Sequence, residues 1–190
     1  MAIDFEKIHE EFDDMMLNLC TECGGQCEQN EITLLLPGEA EFVAKKLGLT
    51  VKEFVEKFCN KIKFKGREVL LLKVGVCPFL NSEYRCALEK PNCKITRCLL
   101  YPVIIGLSEK RPKIFVDYLN CPMAGRVSVD YKKKATEVYE EIKHEIPRWW
   151  LEFVSKYDEI TYDYTKLEKL RDKKSIFISD LKQCAIKRTT

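Results

Sequence analysis

At the start of the chain, apolar and acidic residues alternate with the period of a helix. Residues 3–19 place Ile, Phe, Met and Leu on one face and acidic side chains between them, which predicts an amphipathic helix that ends beside Cys20. His9 lies near this apolar stripe, with no cysteine three or four positions away. We therefore interpret His9 as a structural histidine.

The next stretch predicts one extended segment and two helices. Residues 31–36 are apolar and short enough for a strand or an extended arm, and Pro37-Gly38-Glu39 then begins a helix that ends at Gly48. Thr50 and Glu53 have the spacing of a capping box, so a second helix is expected from there to about Asn60. Cys59, in that helix, is interpreted as a small core residue.

Two β-hairpins are predicted in the middle of the chain. Residues 61–65 alternate and residues 68–76 are rich in branched side chains, with Gly66 between them. Strands over 103–107 and 113–119 surround a second turn. Each hairpin leads directly to a cysteine, Cys77 after the first and Cys121 after the second.

The C-terminal third has a helical pattern. A helix is predicted over 129–146, a second from Pro147 through Trp149 and Trp150, and a last charged helix from Tyr164 to about Thr189. We expect the aromatic residues of the second helix to pack against the sheet. The predicted fold class is α+β, with small strands and cysteine-rich loops around a metal centre and flanking N- and C-terminal helices. Two domains are predicted: a cysteine-cluster metal-binding domain over 1–128, and a helical C-terminal extension over 129–190 that packs on it.

Charge is distributed unevenly along the chain. The formal net charge is +2, but residues 1–60 carry 5 basic and 13 acidic groups, residues 61–134 carry 16 and 6, and residues 135–190 carry 11 of each. The basic block coincides with the later cysteines. We favour basic groups that offset a thiolate-rich metal centre over a surface for nucleic acid or another polyanion.

Cysteine content and the first residues bear on the compartment. Ten cysteines would suit a secreted disulfide protein, but the N-terminal residues lack the basic and apolar regions of a signal peptide. No apolar run approaches the roughly 20 residues of a membrane helix. We therefore expect a cytoplasmic protein with reduced thiols and no membrane association.

The cysteine spacing predicts metal binding. Cys20, Cys23 and Cys27 surround paired glycines that free the backbone to wrap around an ion. A redox dithiol is the alternative for Cys20-x2-Cys23, but no strand precedes it and a third cysteine follows. Thiolates this close repel one another unless a soft cation lies between them.

Eight thiols match two four-coordinate centres, either two [4Fe-4S] clusters or one cluster and one zinc, and they also match one centre with spare thiols. Three ligands within residues 20–27 leave a fourth to come from the later group. The eight candidate ligands are Cys20, Cys23, Cys27, Cys77, Cys86, Cys93, Cys98 and Cys121.

Several motifs together resemble a known family. They are C-x2-C-G-G-x-C at 20–27, Leu-x-Pro-Gly-Glu-x-Glu at 35–41, Leu-Gly-Leu-x3-Glu-Phe at 47–54, C-P-F-L at 77–80 and C-x2-Tyr-Pro at 98–102. In order and spacing they resemble the YkgJ-like cysteine-cluster family, described as a zinc- or iron-chelating domain with the signature CxxCxxCC. The resemblance implies metal ligands at Cys20, Cys23, Cys27, Cys77, Cys86 and Cys98, with Cys93 and Cys121 as additions or variants.

The chain departs from the family pattern at three places. Glu28 replaces the second cysteine of the usual pair, Lys90-Pro91 stands where Arg-Pro is common, and Leu99 follows Cys98 where arginine is usual. Flagellin lysine methylases, relatives of the family, use S-adenosylmethionine, so the resemblance also implies a methylase-like enzyme as an alternative. The chain has no Gly-x-Gly-x-Gly loop after a strand.

Three functions follow from the sequence, in order of preference. The first is an iron-sulfur protein that transfers electrons or supports the modification of a partner protein. The second is a zinc-stabilised module that binds nucleic acid or protein through residues 61–134. The third is the S-adenosylmethionine-dependent methylase-like enzyme.

Overall fold

The computed structural model describes residues 3–12, 19, 22–24, 32–157, 160 and 162–186, and it has a mixed α+β architecture. The helices are α1 (Phe5–Glu11), α2 (Glu39–Lys46), α3 (Val51–Phe58), α4 (Thr96–Leu100), α5 (Val129–Ile142), α6 (Arg148–Tyr157), α7 (Tyr164–Glu168) and α8 (Ile178–Cys184). The strands are β1 (Cys59–Phe64), β2 (Arg67–Leu72), β3 (Val103–Ser108), β4 (Arg111–Val116) and β5 (Ser175–Ile176).

Strands β1 and β2 form the first predicted hairpin. They pair antiparallel from Cys59 with Leu72 to Phe64 with Arg67. The two turn residues Lys65 and Gly66 have φ values of 50° and 75°. A two-residue turn needs positive φ at both positions to match the twist of the strands, which explains the glycine at the second position.

The N-terminal arm extends this sheet and carries the chain to α2. The Leu35 N–H donates to the Leu70 carbonyl at 3.0 Å, and the Leu72 N–H donates to the Thr33 carbonyl at 2.8 Å. The indole N–H of Trp150 donates to the Leu35 carbonyl at 2.9 Å. The predicted arm is therefore held between the sheet and α6.

The second hairpin pairs β3 and β4 antiparallel, from Val103 with Val116 to Ser108 with Arg111. Helix α6 packs on β3, where the Leu107 N–H donates to the Ser155 hydroxyl at 2.7 Å. Trp150 is buried with an exposed fraction of 1%. The strands and the packing role of Trp150 are confirmed.

The helix signals in residues 37–60 are also confirmed. The Thr50 hydroxyl accepts the Glu53 N–H while the Glu53 carboxylate accepts the Thr50 N–H, and this capping box begins α3. The helix ends at Phe58, slightly before the predicted end, because Cys59 is the first residue of β1.

The prediction of one continuous helix over residues 3–19 is wrong. Helix α1 ends at Glu11, and Phe12 has an extended backbone with φ −109° and ψ 110°. The Phe12 ring is buried edge-on against Tyr131 of α5, with the centroids 5.1 Å apart. This distant contact decides where the helix stops.

The predicted single helix over residues 164–189 is also wrong within the described range. That segment forms α7, β5 and α8, and β5 pairs in parallel with β1. The Asn60 side-chain amide donates to the carbonyls of Arg171 and Lys173, at 3.1 Å and 2.5 Å. Apolar residues from both predicted domains belong to one hydrophobic core.

No helix within the described part of the chain is long and apolar enough to cross a membrane.

Candidate metal centre

The structure describes six of the eight predicted ligands. Cys20 and Cys27 lie outside the described residues. Cys93 and Cys121 are buried, and four thiols are partly exposed: Cys23, Cys77, Cys86 and Cys98. The thiols of Cys93 and Cys121 are free.

Cys121 lies close to Cys23, although the two are far apart in sequence. Burial raises the pKa of the Cys121 thiol, and charge at Cys23 raises that pKa further. An ion pair joins the same two segments, with 2.6 Å between the Arg126 guanidinium and the Glu22 carboxylate. Residues 22–23 and the loop after β4 therefore lie side by side at this point.

The loop that contains Cys121 directs backbone N–H groups at its sulfur. Hydrogen bonds from the backbone N–H groups of Met123 and Ala124 lower the pKa of the Cys121 thiol, against the larger effect of burial. Amides directed at sulfur stabilise the thiolate form, which is the form that binds metal. At Cys121 these amides favour the thiolate form, while burial has the larger effect and keeps the pKa raised.

The segment before Cys121 is fixed by Asp117, which follows β4. The Asp117 carboxylate accepts the N–H groups of Leu119 at 3.1 Å and of Asn120 at 3.0 Å. The Asp117 N–H donates to the Pro102 carbonyl at 2.8 Å. The turn that precedes Cys121 is therefore stabilised by its own hydrogen bonds.

A second thiol pair lies in the loop between β2 and α4. Burial raises the pKa of Cys93 to about 11, with a further contribution from charge at Cys86, while Lys46 lowers it. Cys86 is held opposite Leu80 in an isolated antiparallel bridge, and the Cys93 N–H donates to the Leu88 carbonyl at 3.0 Å. These turns confirm the expected loop character of the segment.

Glu39 holds this loop against α2. Its fully buried carboxylate accepts the N–H of Leu36 at 2.9 Å and that of Thr96 at 2.5 Å. Burial raises the pKa of Glu39, while hydrogen bonds from the side chain and backbone of Thr96 and from the Leu36 N–H, together with charge at His9, lower it. Thr96 begins α4, the helix that carries Cys98, so Glu39 fixes the backbone between Cys93 and Cys98.

His9 supports the same segment from α1. Its two ring nitrogens lie 2.8 Å from the Phe5 carbonyl oxygen and 2.7 Å from the Lys94 carbonyl oxygen. Carbonyl oxygens only accept hydrogen bonds, so both nitrogens are donors when both contacts form. The structural role predicted for His9 is confirmed.

Cys77 follows a backbone segment that the C-terminal part of the chain holds in place. The Arg171 guanidinium donates to the carbonyls of Val74 at 3.3 Å and Val76 at 2.5 Å. Gly75 between them has φ +88°, and a Cβ there would lie 1.8 Å from the Glu168 carboxylate. The residues just before Cys77 therefore depend on α7 and the turn after it.

Cys59 is a core residue, as predicted, and Cys184 is buried in the core as well. Cys59 is 4% exposed, and burial raises its pKa to about 12. Cys184 is 3% exposed, and burial raises its pKa. A protonated buried thiol behaves as a small apolar side chain.

Within the described residues, no three His, Cys, Asp or Glu side chains are grouped so that they could hold a metal ion. This includes Cys77, Cys86, Cys93 and Cys98, all of which are described. The structure instead gives two thiol neighbourhoods, Cys23 with Cys121 and Cys86 with Cys93. In the sequence, Cys23 stands between the predicted ligands Cys20 and Cys27, which lie outside the described residues.

The donor chemistry of the first neighbourhood fits a soft metal. Its side chains are thiols, its backbone amides favour thiolate, and thiolate ligands select zinc, copper(I) and iron-sulfur clusters. Because ligating thiols must lose their protons, metal binding there would release protons.

Sequence reasoning missed Glu39 as the group that positions the Cys93–Cys98 segment and treated it only as an acid in the first turn of a helix. A signal was present, since residues 34–36 before it and Ala40 and Phe42 after it are apolar.

Comparison with protein-family models, curated proteins and solved structures finds no match for this chain.

Proposed function

We propose that the protein is a metal-binding cysteine-cluster protein that holds an iron-sulfur cluster, either to transfer electrons or to support the modification of a partner protein. The observation that carries the proposal is that residues 22–23 lie beside the loop that holds Cys121, with 2.6 Å between the Glu22 carboxylate and the Arg126 guanidinium, because this places a distant thiol near Cys23, one of the three predicted N-terminal ligands. The resemblance to the YkgJ-like cysteine-cluster family supports the same assignment.

The proposed ligand set is Cys20, Cys23 and Cys27 with Cys121 as the fourth. Three ligands within eight residues need one more from elsewhere in the chain, and Cys121 is a later cysteine that lies near Cys23, in segments joined by the Arg126–Glu22 ion pair at 2.6 Å. The resemblance alone does not select Cys121, which falls outside the family positions. Cys77, Cys86, Cys93 and Cys98, also predicted as ligands from the sequence, are left out of this set because the described residues do not bring three of them together.

The surrounding residues have clear roles in this proposal. An iron-sulfur cluster, when bound, supplies one-electron transfer at a potential that depends on hydrogen bonds to the sulfurs and on exposure to solvent. The N–H groups of Met123 and Ala124 supply such hydrogen bonds at Cys121. The exposed Arg126–Glu22 ion pair joins the two ligand-bearing segments at the surface.

The choice between a cluster and zinc rests on one experiment. Protein purified without oxygen is analysed for iron, zinc and acid-labile sulfide, and its visible spectrum is recorded. We expect iron and sulfide together with broad visible absorbance from thiolate-to-iron charge transfer. Colourless protein that contains zinc and no sulfide would contradict the proposal and favour the zinc-stabilised module.

A further inference from the structure

We infer that His9 is held with a proton on both ring nitrogens, and that this makes the docking of α1 on the loop before α4 depend on pH. His9 lies in the last turn of α1, and the partners of its two ring nitrogens are backbone carbonyl oxygens. The contact lies outside the proposed ligand set, so its role goes beyond the proposed function and does not depend on a bound cluster.

The imidazole of His9 bridges two carbonyl groups that are far apart in sequence. Nδ1 lies 2.8 Å from the Phe5 carbonyl oxygen, one turn earlier in α1, and Nε2 lies 2.7 Å from the Lys94 carbonyl oxygen. A neutral imidazole has one N–H and one lone pair, so it can donate to only one of these oxygens. Its other nitrogen would then direct a lone pair at a carbonyl oxygen, which is repulsive. The ring with two N–H groups satisfies both carbonyls.

Burial makes the loss of either contact unfavourable. His9 is 4% exposed and Lys94 is 6% exposed. The Phe42 ring of α2 packs on the imidazole, with the ring centroids 4.7 Å apart. Water therefore has little access to replace an N–H that is lost on deprotonation, and a buried carbonyl without a donor destabilises the fold.

Two electrostatic effects favour the positive charge on His9. The carboxylate of Glu39 on α2 is fully buried, and charge at His9 lowers its pKa; the same attraction favours the proton on His9. The last turn of a helix also favours a cation, because the unpaired carbonyls at that end carry partial negative charge.

The other charged groups around α1 are at the surface or belong to the loop. Glu6 lies 2.7 Å from Lys46 of α2, and Lys7 lies 3.0 Å from Glu141 of α5; exposed pairs of this kind contribute little. In the loop, burial raises the pKa of Cys93 to about 11, so this thiol stays neutral near neutral pH. Further titratable groups on these elements are Glu10 of α1, Glu41 and Lys45 of α2, and Cys86, Glu89, Lys90 and Lys94 of the loop.

The loop holds the backbone of His9 as well as its ring. The Asn92 side-chain amide donates to the His9 carbonyl at 3.2 Å. Phe5 and Ile8 of α1 are also buried in the core, so the loss of one proton weakens the docking of α1 without releasing the helix. We therefore expect α1 to open more often as the pH rises.

The direction of this pH dependence follows from proton linkage. An unfolded histidine loses its proton near pH 6.5. The stabilisation from a proton that the folded state retains is fully present below that pH, and it is lost as the folded ring gives up its own proton at higher pH.

The first test counts the protons on each histidine ring. The chain has two histidines, and the second, His144, is exposed, so it serves as an internal control. NMR spectra of the ring nitrogens are recorded on the full chain with isotope-labelled histidine, purified without oxygen, from about pH 5 to about pH 9, and His144→Gln assigns the signals. We expect His9 to keep both protons at about pH 7, where most of His144 has lost one.

The second test measures the docking of α1 by hydrogen exchange. The amides of Ile8 and Phe12 donate within α1, and the Lys143 amide, at the end of α5, is the reference. After correction for the intrinsic pH dependence of exchange, protection of the α1 amides should fall at least about tenfold between about pH 6 and about pH 9 in wild type and in His144→Gln. In His9→Gln it should be low at both pH values. All three proteins keep Glu39 and Cys93, so titration of these groups is common to them.

The inference is overturned if His9 carries one proton at about pH 6, or if His9 and His144 lose their protons at the same pH. Protection of α1 that does not change with pH, or that falls as steeply in His9→Gln as in wild type, would also overturn it. The NMR spectra of wild type decide the protonation state even if His9→Gln does not fold. Iron content enters neither measurement, so a negative result here leaves the proposed metal centre unaffected.

Discussion

The carboxylate of Glu39 accepts the backbone N–H of Thr96 at 2.5 Å. The contact joins the start of α2 to the start of α4, and it is completely shielded from water because Glu39 is 0% exposed. Cys93 and Cys98 lie on either side of Thr96. The position of these two predicted ligands thus depends on a side chain from a distant part of the chain.

Glu39→Ala should strongly destabilise the fold. The substitution leaves the N–H groups of Thr96 and Leu36 buried without their acceptor, and each such group lowers the free energy of unfolding by about 1–3 kcal/mol. We expect a total loss of about 2–6 kcal/mol in urea unfolding of metal-free, reduced protein. Glu41→Ala, on the exposed side of the same helix, is the control and should change stability by less than about 0.5 kcal/mol. Equal losses in the two variants would contradict the role of Glu39.

Cys59 should make the protein less stable at alkaline pH. Burial raises the folded-state pKa of this thiol to about 12 from a reference value of 9.0. Between these two pKa values the folded state keeps the proton of Cys59 while the unfolded state releases it. The contribution of this thiol to the free energy of unfolding is therefore fully present below about pH 9 and is lost as the pH rises towards 12. The loss is at most about 1.4 kcal/mol per pH unit.

The measurement is urea unfolding of reduced protein between about pH 8 and pH 10.5, in wild type and in Cys59→Ala. Wild type should lose stability more steeply with pH than the variant does. Identical slopes in the two proteins would show that the Cys59 thiol ionises as easily in the folded state as in the unfolded state.

Arg171→Ala should loosen the backbone that leads to Cys77. Arg171 donates to the carbonyls of Val74 and Val76, and their loss should lower the free energy of unfolding by about 1–3 kcal/mol. Hydrogen exchange at the amides around Val76 and Cys77 should accelerate in the same variant. Lys169→Ala, an exposed residue of the same segment, should leave both measurements unchanged, and matching effects in the two variants would argue against the specific contact.

Local signals predicted much of the fold. The Thr50–Glu53 capping box, the Lys65-Gly66 turn and the start of a helix at Pro147 each depend on neighbouring residues. The errors arose where distant contacts override local pattern. Helix α1 ends before Phe12, whose ring packs on Tyr131. Asn60 donates to the carbonyls of Arg171 and Lys173, just before β5.

The candidate site was predictable in its chemistry but not in its arrangement. The spacing of Cys20, Cys23 and Cys27 indicates that a fourth ligand comes from afar, yet spacing cannot choose among the later cysteines. That choice depends on where the loop after β4 meets the N-terminal segment, a contact marked by the Arg126–Glu22 ion pair. No local pattern in the sequence encodes such a meeting.

The most direct test of the central claim is the iron content of Cys121→Ser compared with Cys184→Ser, both purified without oxygen. The two cysteines are similarly buried, with exposed fractions of 7% and 3%, so the control matches the structural effect of the substitution. We expect Cys121→Ser to lose most of its iron and acid-labile sulfide, while Cys184→Ser keeps the wild-type content. Equal iron in Cys121→Ser and wild type would contradict the proposal that Cys121 completes a ligand set with the N-terminal cysteines.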